Sequence, residues 1–293
     1  MGIDIDEALS AAPARRTLAW NRRDVLLYHL SLGAGPDADA GPDADPELRY
    51  TFERDLRVLP TFAMVAGQGV SSGDGGVPAM SLPGIDVDLR RVLHAGQALT
   101  VHRPIPVAGE ATVSSRVTHV WDKGKAAVIV LEGAATAPSG EPLWTTETQI
   151  WARGEGGFGG EPGPESTWSV PERAPDHVLE SRTTPGQALL YRLNGDLNPL
   201  HADPEFAKAA GFERPILHGL ASYGIVAKAV VDGVLDGDTA RLRSIGARFA
   251  GSLHPGQTIR TSVWRDGNTL TLSAACPERG DAPVLTHAVA HVT

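Results

Sequence analysis

The sequence predicts an α+β protein made of two similar halves, each with one long apolar helix followed by antiparallel strands. The first observation behind this prediction is a short internal repeat: residues 93–97 read Leu-His-Ala-Gly-Gln, and residues 253–257 read Leu-His-Pro-Gly-Gln. The second is a strand–turn–strand pattern that follows each copy of the repeat. A five-residue match can arise by chance, but the same pattern after both copies favours a duplicated domain.

Three strands are predicted after each copy of the repeat from the spacing of apolar residues and turn residues. They cover residues 111–121, 126–135 and 143–152 in the first half and residues 258–264, 269–275 and 284–292 in the second. Residues 122–125 (Asp-Lys-Gly-Lys) and 265–268 (Arg-Asp-Gly-Asn) occupy matching positions and have the composition of hairpin turns. Each half is therefore expected to contain consecutive antiparallel strands.

One long apolar helix is predicted ahead of the strands in each half. In the second half it spans residues 219–234, where many small residues lie among aliphatic ones. Small residues allow close contact on several sides, so a helix wrapped by a curved sheet is expected. In the first half the corresponding helix begins at Leu59 and runs through Ala66.

Composition and charge restrict the class of protein. The chain has 293 residues, of which 42% are hydrophobic and 21% charged, as is typical of a globular protein with one large or two ordinary domains. A formal net charge of −9 disfavours a nucleic-acid-binding surface, which needs clustered Lys and Arg. Cys276 is the only cysteine, so the sequence has no intrachain disulfide or cysteine-based zinc site, and a reducing compartment is expected.

No targeting or membrane segment is expected. Residues 1–6 are acidic and lack the apolar core of a signal peptide. No apolar run approaches the roughly 20 residues needed to cross a bilayer. The sequence therefore predicts a cytoplasmic protein without a membrane partner.

Two stretches of biased composition mark a linker and a loop. Residues 154–164 are rich in glycine and proline and predict a linker. The alternative explanation for some of these glycines is that they let the backbone cross closely over a sheet. We place the domain boundary here, with one domain at residues 1–155 and a second at residues 156–293. Residues 35–45 are acidic, nearly free of apolar residues and without the spacing of a calcium loop, so a solvated loop is expected.

Residues 191–201 (Tyr-Arg-Leu-Asn-Gly-Asp-Leu-Asn-Pro-Leu-His) carry the strongest signal for chemistry. Asp196 and His201 lie five positions apart on a segment that Gly195 and Pro199 prevent from forming a regular helix. A carboxylate and an imidazole on one shaped loop favour acid–base chemistry. Alone, the same residues also fit a surface turn.

Gly219, at the predicted start of the second-half helix, offers an electrophilic partner. Its backbone N–H has no intrahelical acceptor, lies at the positive end of the helix dipole and can be approached closely because glycine has no Cβ. Such a group can donate to a carbonyl oxygen that gains negative charge. Close packing of the helix against the sheet is the alternative reason for a glycine here. Asp203 and Pro204 predict a short intervening helix at residues 204–210, with Asp203 as its N-cap.

Residues 191–201 together with residues 211–219 (Gly-Phe-Glu-Arg-Pro-Ile-Leu-His-Gly) resemble the signature of the 2-enoyl-CoA hydratase 2 family. These are the MaoC-like, R-specific hydratases, also found as a domain of peroxisomal multifunctional enzyme type 2. The resemblance covers nearly the entire chain. Weaker matches to the eukaryotic double-domain form fall in the right order at residues 20–32, 59–62, 93–94, 122–124, 156–160 and 248–250.

The resemblance implies a double hot-dog fold, with two antiparallel sheets that each wrap around a long central helix. It also implies reversible hydration of trans-2-enoyl-CoA to (3R)-3-hydroxyacyl-CoA, or the reverse dehydration, in fatty-acid or related acyl-CoA metabolism such as β-oxidation, with fatty, steroid side-chain and hydroxyalkanoate-precursor thioesters all open. Only the second half carries Asp-x-Asn-Pro-x-His, so one active site is expected, and the first half is expected to be a degenerate copy that shapes the acyl tunnel. No cofactor or metal is implied.

The family assigns roles to individual residues of this sequence. The implied catalytic residues are Asp196, His201, Asn198, which would orient the water or the loop, and Gly219. Positions that match substrate contacts are His94, Ala95, Lys123, Leu197, Pro199, Leu200 and Phe249. Lys123 is the implied phosphate partner, although a hairpin-turn lysine explains it equally well, and Ala95 replaces the glycine usual in the eukaryotic form.

Several alternatives remain open from sequence. An acyl-CoA thioesterase or a non-catalytic acyl-CoA-binding subunit could share the fold. A metal site formed by His201, His218 and Asp203 has no recognised spacing, and no serine-hydrolase elbow is present. The thioester carrier, CoA or acyl carrier protein, the acyl chain length and pairing into a homodimer are not decided by the sequence.

Overall fold

The computed structural model describes residues 2–35, 47–68, 82–87 and 91–293, so the predicted loop at residues 35–45 lies, apart from Gly35, outside them. The described α-helices are α1 (Ile5–Ser10), α2 (Arg22–Ser31), α3 (Leu48–Thr51), α4 (Gln187–Tyr191), α5 (Pro204–Ala209) and α6 (Gly219–Val234). The described strands are β1 (Ala14–Trp20), β2 (Val92–Val101), β3 (Gly109–Asp122), β4 (Ala126–Thr136), β5 (Pro142–Arg153), β6 (His177–Arg182), β7 (Leu242–Phe249), β8 (Thr258–Asp266), β9 (Thr269–Cys276) and β10 (Ala282–Val292). Among these residues, every helix is too short or too polar to cross a bilayer.

The strands form one antiparallel sheet in the order β1-β3-β4-β5-β2-β7-β10-β9-β8-β6. Strands β1 to β5 come from the first half of the chain and β6 to β10 from the second. The halves meet where residues 96–100 of β2 pair with residues 244–248 of β7. The predicted antiparallel strands are confirmed to within two residues at each end, and the two predicted sheets are joined edge to edge into one.

The long helix of the second half is confirmed with its predicted ends as α6. It packs against β6, β7, β8 and β10 of its own half. The Tyr223 hydroxyl donates a 2.7 Å hydrogen bond to the Ile245 carbonyl and so joins α6 to the sheet. At Gly224 an added Cβ would lie only 2.7 Å from the Tyr28 hydroxyl oxygen, so this glycine lets α2 of the first half approach α6 closely.

The long helix predicted for the first half is wrong as far as the chain is described. The segment that begins at Leu59 forms only a 3-10 helix at Pro60–Met64. The chain then turns at Gly67, whose φ of +68° is a left-handed conformation that ends a helix. Phe62 still points into the core, where it makes edge-to-face contacts with Trp20 and Tyr28 at centroid distances of 6.3 and 5.7 Å.

The predicted linker and the residues that follow it are attached to the two halves. The Asp122 carboxylate accepts the backbone N–H groups of Gly157 and Gly159 at 2.8 and 2.7 Å. Further along, the Trp168 indole N–H donates to the Ala288 carbonyl of β10 at 3.2 Å. At Gly163 an added Cβ would lie 2.5 Å from the Trp121 ring, so a glycine is required where the chain crosses this side chain. The expectation that linker glycines allow a close crossing is confirmed here.

His29, on α2, is buried as a neutral side chain and should make the fold sensitive to acid. Its Nδ1–H donates to the Tyr50 carbonyl at 2.9 Å, its Nε2 accepts the Leu59 N–H at 3.2 Å, and burial lowers the pKa of His29 to about 4. The unfolded chain binds a proton near pH 6.5 that the folded chain does not bind until about pH 4. The contribution of His29 to the free energy of unfolding is therefore fully present above about pH 6.5 and is lost as the pH falls towards about 4. The loss amounts to about 2 kcal/mol at pH 5.

Urea unfolding of the wild type and of His29→Asn at pH 7.5 and pH 5 measures this contribution. The variant should be less stable than the wild type at pH 7.5, yet lose about 2 kcal/mol less on acidification. An equal loss in both proteins would contradict a neutral buried His29.

Candidate active site

Residues 187–201 fold as a chain of short turns, as the glycine and proline positions predict. Helix α4 continues into a 3-10 turn at Arg192–Asn194, and a second 3-10 turn at Pro199–His201 follows. Between them Gly195 has a φ of +121°, and a Cβ there would collide with the Gln68 carbonyl oxygen of the first half. A glycine is therefore needed for both the backbone conformation and the contact between halves.

Asp196 and Asn198 shape the loop through their side chains. Asp196 Oδ1 accepts the Asn198 N–H at 3.1 Å, and Asn198 Oδ1 accepts the Leu200 N–H at 3.0 Å. These turns leave the Asp196 side chain 52% exposed, with Oδ2 facing His218 Nε2 at 4.0 Å. Asn198 thus contacts the loop itself. Of the two roles that the resemblance implies for Asn198, orienting the water or orienting the loop, this contact fits the second.

His201 is fixed in one tautomer. Its Nδ1 lies 2.8 Å from the Ile216 carbonyl oxygen, which can only accept, so Nδ1 carries the hydrogen and Nε2 keeps its lone pair. The ring is buried, and burial lowers the pKa of His201 in opposition to this hydrogen bond and to the Asp196 charge. His201 is therefore a neutral imidazole with a basic nitrogen next to a carboxylate.

His218 completes the group, although the sequence reasoning considered it only as a metal ligand. Its ring stacks on the His201 ring with a centroid distance of 3.7 Å, and its Nε2 lies 3.3 Å from the Asp196 main-chain oxygen. The only signal in the sequence was its position immediately before Gly219 at a helix start. Reactive atoms of Asp196, His201 and His218 all lie within 4.8 Å of one another.

The stacking of His201 and His218 disfavours a metal ion at this cluster. A histidine binds a metal in the plane of its ring, and these rings lie one above the other, 25° from parallel. Both lone pairs therefore cannot point to one ion without a rotation. Asp203, the third ligand of the alternative weighed from sequence, instead caps α5 as predicted, by accepting the Glu205 and Phe206 N–H groups at 2.8 and 3.3 Å.

Gly219 is the first residue of α6, and both explanations of this glycine have support. An added Cβ would lie 3.1 Å from the Phe249 ring, so close packing favours a residue without a side chain. The N–H group has no hydrogen-bond acceptor in the described part of the chain, and His218 provides no side-chain cap. A donor at the positive end of a buried helix thus lies one residue after His218.

The predicted substrate-contacting residues divide into two groups. Phe249 packs against Gly219, and His94 makes an edge-to-face contact with Phe249 at 4.8 Å, so both lie at the candidate site together with Ala95, which follows His94. Burial lowers the pKa of His94 to about 4, although the nearby Asp196 charge opposes this shift. Half-buried positions on the loop itself are Leu197, Pro199 and Leu200.

Lys123 belongs to the other group. Its ammonium donates to the Pro162 carbonyl and lies 5.8 Å from the Trp121 ring centroid, so its contacts in the described residues join the β3–β4 hairpin to the linker. These contacts fit the hairpin-turn explanation of Lys123. They do not bring it to Asp196.

A hydrogen-bond network that the sequence reasoning missed joins the loop to the first half. Asn194 Nδ2 donates to Ser31 Oγ at 2.9 Å, and Gln187 Nε2 donates to the Ser31 carbonyl at 2.7 Å. All three residues are buried, and Ser31 is the last residue of α2. The first half therefore holds the loop that bears Asp196, beyond any role in shaping a tunnel.

Comparison with known proteins identifies both halves of the chain. Residues 19–154 match the family model of the MFE-2 hydratase 2 N-terminal domain, and residues 166–276 match that of the MaoC like domain. Enoyl-CoA hydratase ChsH3 of Mycobacterium tuberculosis is 49% identical over 97% of each chain. The peroxisomal enoyl-CoA hydratase 2 of Arabidopsis thaliana is 40% identical over 89% of this chain and 86% of its own.

Solved structures agree with the fold. A MaoC-like dehydratase from Phytophthora capsici superimposes with a TM-score of 0.86 at 30% identity, over 99% of this chain and 98% of its own. A Mycobacterium tuberculosis protein described as a double hot-dog fold has a TM-score of 0.56 over 96% and 95% of the two chains, and at 14% identity it shows the fold alone. The predicted double hot-dog class is confirmed. By the identity and coverage of its relatives, the chain belongs to the 2-enoyl-CoA hydratase 2 family of MaoC-like proteins.

Proposed function

We propose that the protein is an R-specific hydro-lyase that adds water reversibly to trans-2-enoyl-CoA and forms (3R)-3-hydroxyacyl-CoA. The observation that carries the proposal is His201, whose Nδ1–H donates to the Ile216 carbonyl and which has a ring nitrogen within 4.8 Å of an Asp196 carboxylate oxygen. The names of the relatives, enoyl-CoA hydratase and enoyl-CoA hydratase 2, agree with this reaction.

The Gly219 N–H group would make the β-carbon electrophilic. A hydrogen bond from this group to the thioester oxygen draws electron density out of the conjugated double bond and stabilises the enolate oxygen that forms during addition. The position at the start of α6 adds the helix dipole to the same effect. Phe249, His94 and Ala95 line the neighbouring surface and are proposed to contact the substrate, together with Leu197, Pro199 and Leu200.

Asp196 and His201 would hold and deprotonate the water. As the water oxygen bonds to the β-carbon, one proton leaves the water and one proton is delivered to the α-carbon, so the sum is one water added across the double bond. The two residues lie on one loop, so both the oxygen and the proton arrive at the same face of the substrate.

The single active site is proposed to lie in a C-terminal domain at residues 156–293, supported by a degenerate N-terminal domain at residues 1–155. The protein is further proposed to act in the cytoplasm as a homodimer, although the Arabidopsis relative is named as peroxisomal. CoA is proposed as the carrier of the acyl group, and acyl carrier protein remains the alternative carrier. Lys123 is proposed as the partner of a substrate phosphate group. To bind the phosphate, its ammonium group would have to leave the Pro162 carbonyl.

An assay of the purified protein with trans-2-enoyl-CoA thioesters of increasing chain length tests the proposal. The absorbance of the conjugated thioester should fall without release of free thiol, and chiral analysis should give the 3R alcohol. Thiol release would instead indicate a thioesterase, and binding without turnover would indicate an acyl-CoA-binding subunit. A 3S product would contradict R-specificity.

A further inference from the structure

His218 lies between the two parts of the proposed site and does not perform the task that its position in the helix suggests. It is the N-cap residue of α6, but its side chain makes no capping hydrogen bond. Asn, Asp or Ser is favoured at this position because a short polar side chain accepts a backbone N–H of the first turn. The His218 ring is instead turned towards the loop that carries Asp196.

The contacts of His218 determine which nitrogen carries its hydrogen. Nε2 lies 3.3 Å from the Asp196 main-chain oxygen, which can only accept, so Nε2 is the donor. Nδ1 is then the lone-pair nitrogen, and it is buried without a hydrogen-bond partner in the described residues. A buried nitrogen without a partner costs free energy, so the favourable contacts of His218 are those of its Nε2–H group and its ring.

The His218 ring also contacts two other aromatic rings at the site. It stacks on His201 at 3.7 Å and contacts the Tyr191 ring at 4.8 Å. Burial and the neighbouring His201 lower the pKa of His218 to about 3. A neutral ring can lie against His201 without repelling the proton that His201 takes up during the reaction.

We propose that His218 is a positioning residue. Its Nε2–H group holds the Asp196 main chain and its ring supports the His201 ring, so that both residues stay at a fixed distance from the Gly219 N–H group. The inference rests on the proposed hydration at this site. Because His218 and Gly219 are adjacent, this contact joins the water-activating loop to the carbonyl-binding end of α6. Loss of the contact should leave substrate binding nearly intact and disturb the geometry on which kcat depends.

Three substitutions separate this role from helix capping and from packing. In His218→Gln the side-chain amide can reach the position of Nε2 and donate to Asp196. In His218→Asn the amide lies near the position of Nδ1, where it is a better N-cap but cannot reach Asp196. His218→Leu fills a similar volume without any donor.

The measurements are kcat and KM for hydration of a trans-2-enoyl-CoA, with the melting temperature of each variant. We expect kcat to fall about tenfold or more in His218→Asn and His218→Leu, because one hydrogen bond and the alignment of the site are lost. KM should change less than about threefold. His218→Gln should recover most of the loss. The proposal is overturned if kcat of His218→Asn equals or exceeds kcat of His218→Gln, or if kcat follows the melting temperature across the three variants. A wild type without hydratase activity would count against the proposed function instead, before any variant is compared.

Discussion

Asp196→Asn and His201→Asn are each expected to lower kcat for enoyl-CoA hydration by about 10³-fold, within the range typical of a lost general acid or base. Asp196→Asn removes the negative charge beside His201. His201→Asn removes the lone-pair nitrogen Nε2, which would accept the proton of the water. Steady-state kinetics with a trans-2-enoyl-CoA, monitored by loss of the conjugated thioester, provides the measurement.

Both substitutions are chosen so that the loop should keep its shape. The amide oxygen of Asn at position 196 can still accept the Asn198 N–H, as Asp196 Oδ1 does at 3.1 Å. The amide nitrogen of Asn at position 201 can still donate to the Ile216 carbonyl, as Nδ1 of His201 does at 2.8 Å. Melting temperatures close to that of the wild type would therefore assign the loss to chemistry.

The double variant provides a further control. If Asp196 and His201 act as one unit on the same water, the double variant should be little slower than the slower single variant. A multiplicative loss would indicate that the two residues act in separate steps. Near wild-type activity in either single variant would contradict the proposed mechanism.

The sequence predicted the features that depend on residues close together in the chain. The ends of the six predicted strands, the N-cap at Asp203 and the ends of α6 follow from turn residues, capping residues and apolar spacing, and the structure confirms them, the strand ends to within two residues. Strands β1, β2, β6 and β7 were not predicted. The 191–201 segment was also correctly predicted to be irregular, because Gly195 and Pro199 act locally. The roles of Asp196 and His201 came from their chemistry and from the resemblance.

The sequence did not reveal features that depend on contacts distant in the chain. The Ser31–Asn194 hydrogen bond joins residues 163 positions apart, and a serine at the end of α2 has no pattern that points to it. The stacking of His218 on His201 depends on how α6 meets the loop, which neither segment specifies alone. The first-half helix was wrongly predicted because an apolar run of this length also fits a buried 3-10 turn, which ends here at Met64, three residues before the left-handed Gly67.

Gly219→Pro is expected to lower kcat by about 10²- to 10³-fold relative to Gly219→Ala, which corresponds to the loss of one oxyanion-type donor. Proline removes the backbone N–H group, while alanine keeps it. Both add a Cβ that meets the Phe249 ring at about the same place, 3.1 Å away, so the steric effect should be shared. Proline alone also carries Cδ on the backbone nitrogen, where the hydrogen of the N–H group pointed, so the difference between the two variants measures access of the substrate oxygen to this donor and not the contact of Cβ with Phe249.

The local backbone makes proline acceptable at this position. Gly219 is the first residue of α6, where proline is favoured because the N–H group has no intrahelical partner. The preceding His218 has φ of −57° and ψ of +136°, the extended conformation that a residue before proline prefers. The helix should thus form in both variants, and the far-ultraviolet circular dichroism spectrum can verify this. Equal kcat values for Gly219→Pro and Gly219→Ala would show that the glycine serves packing against Phe249 alone, and the carbonyl-polarising donor would then have to be another group.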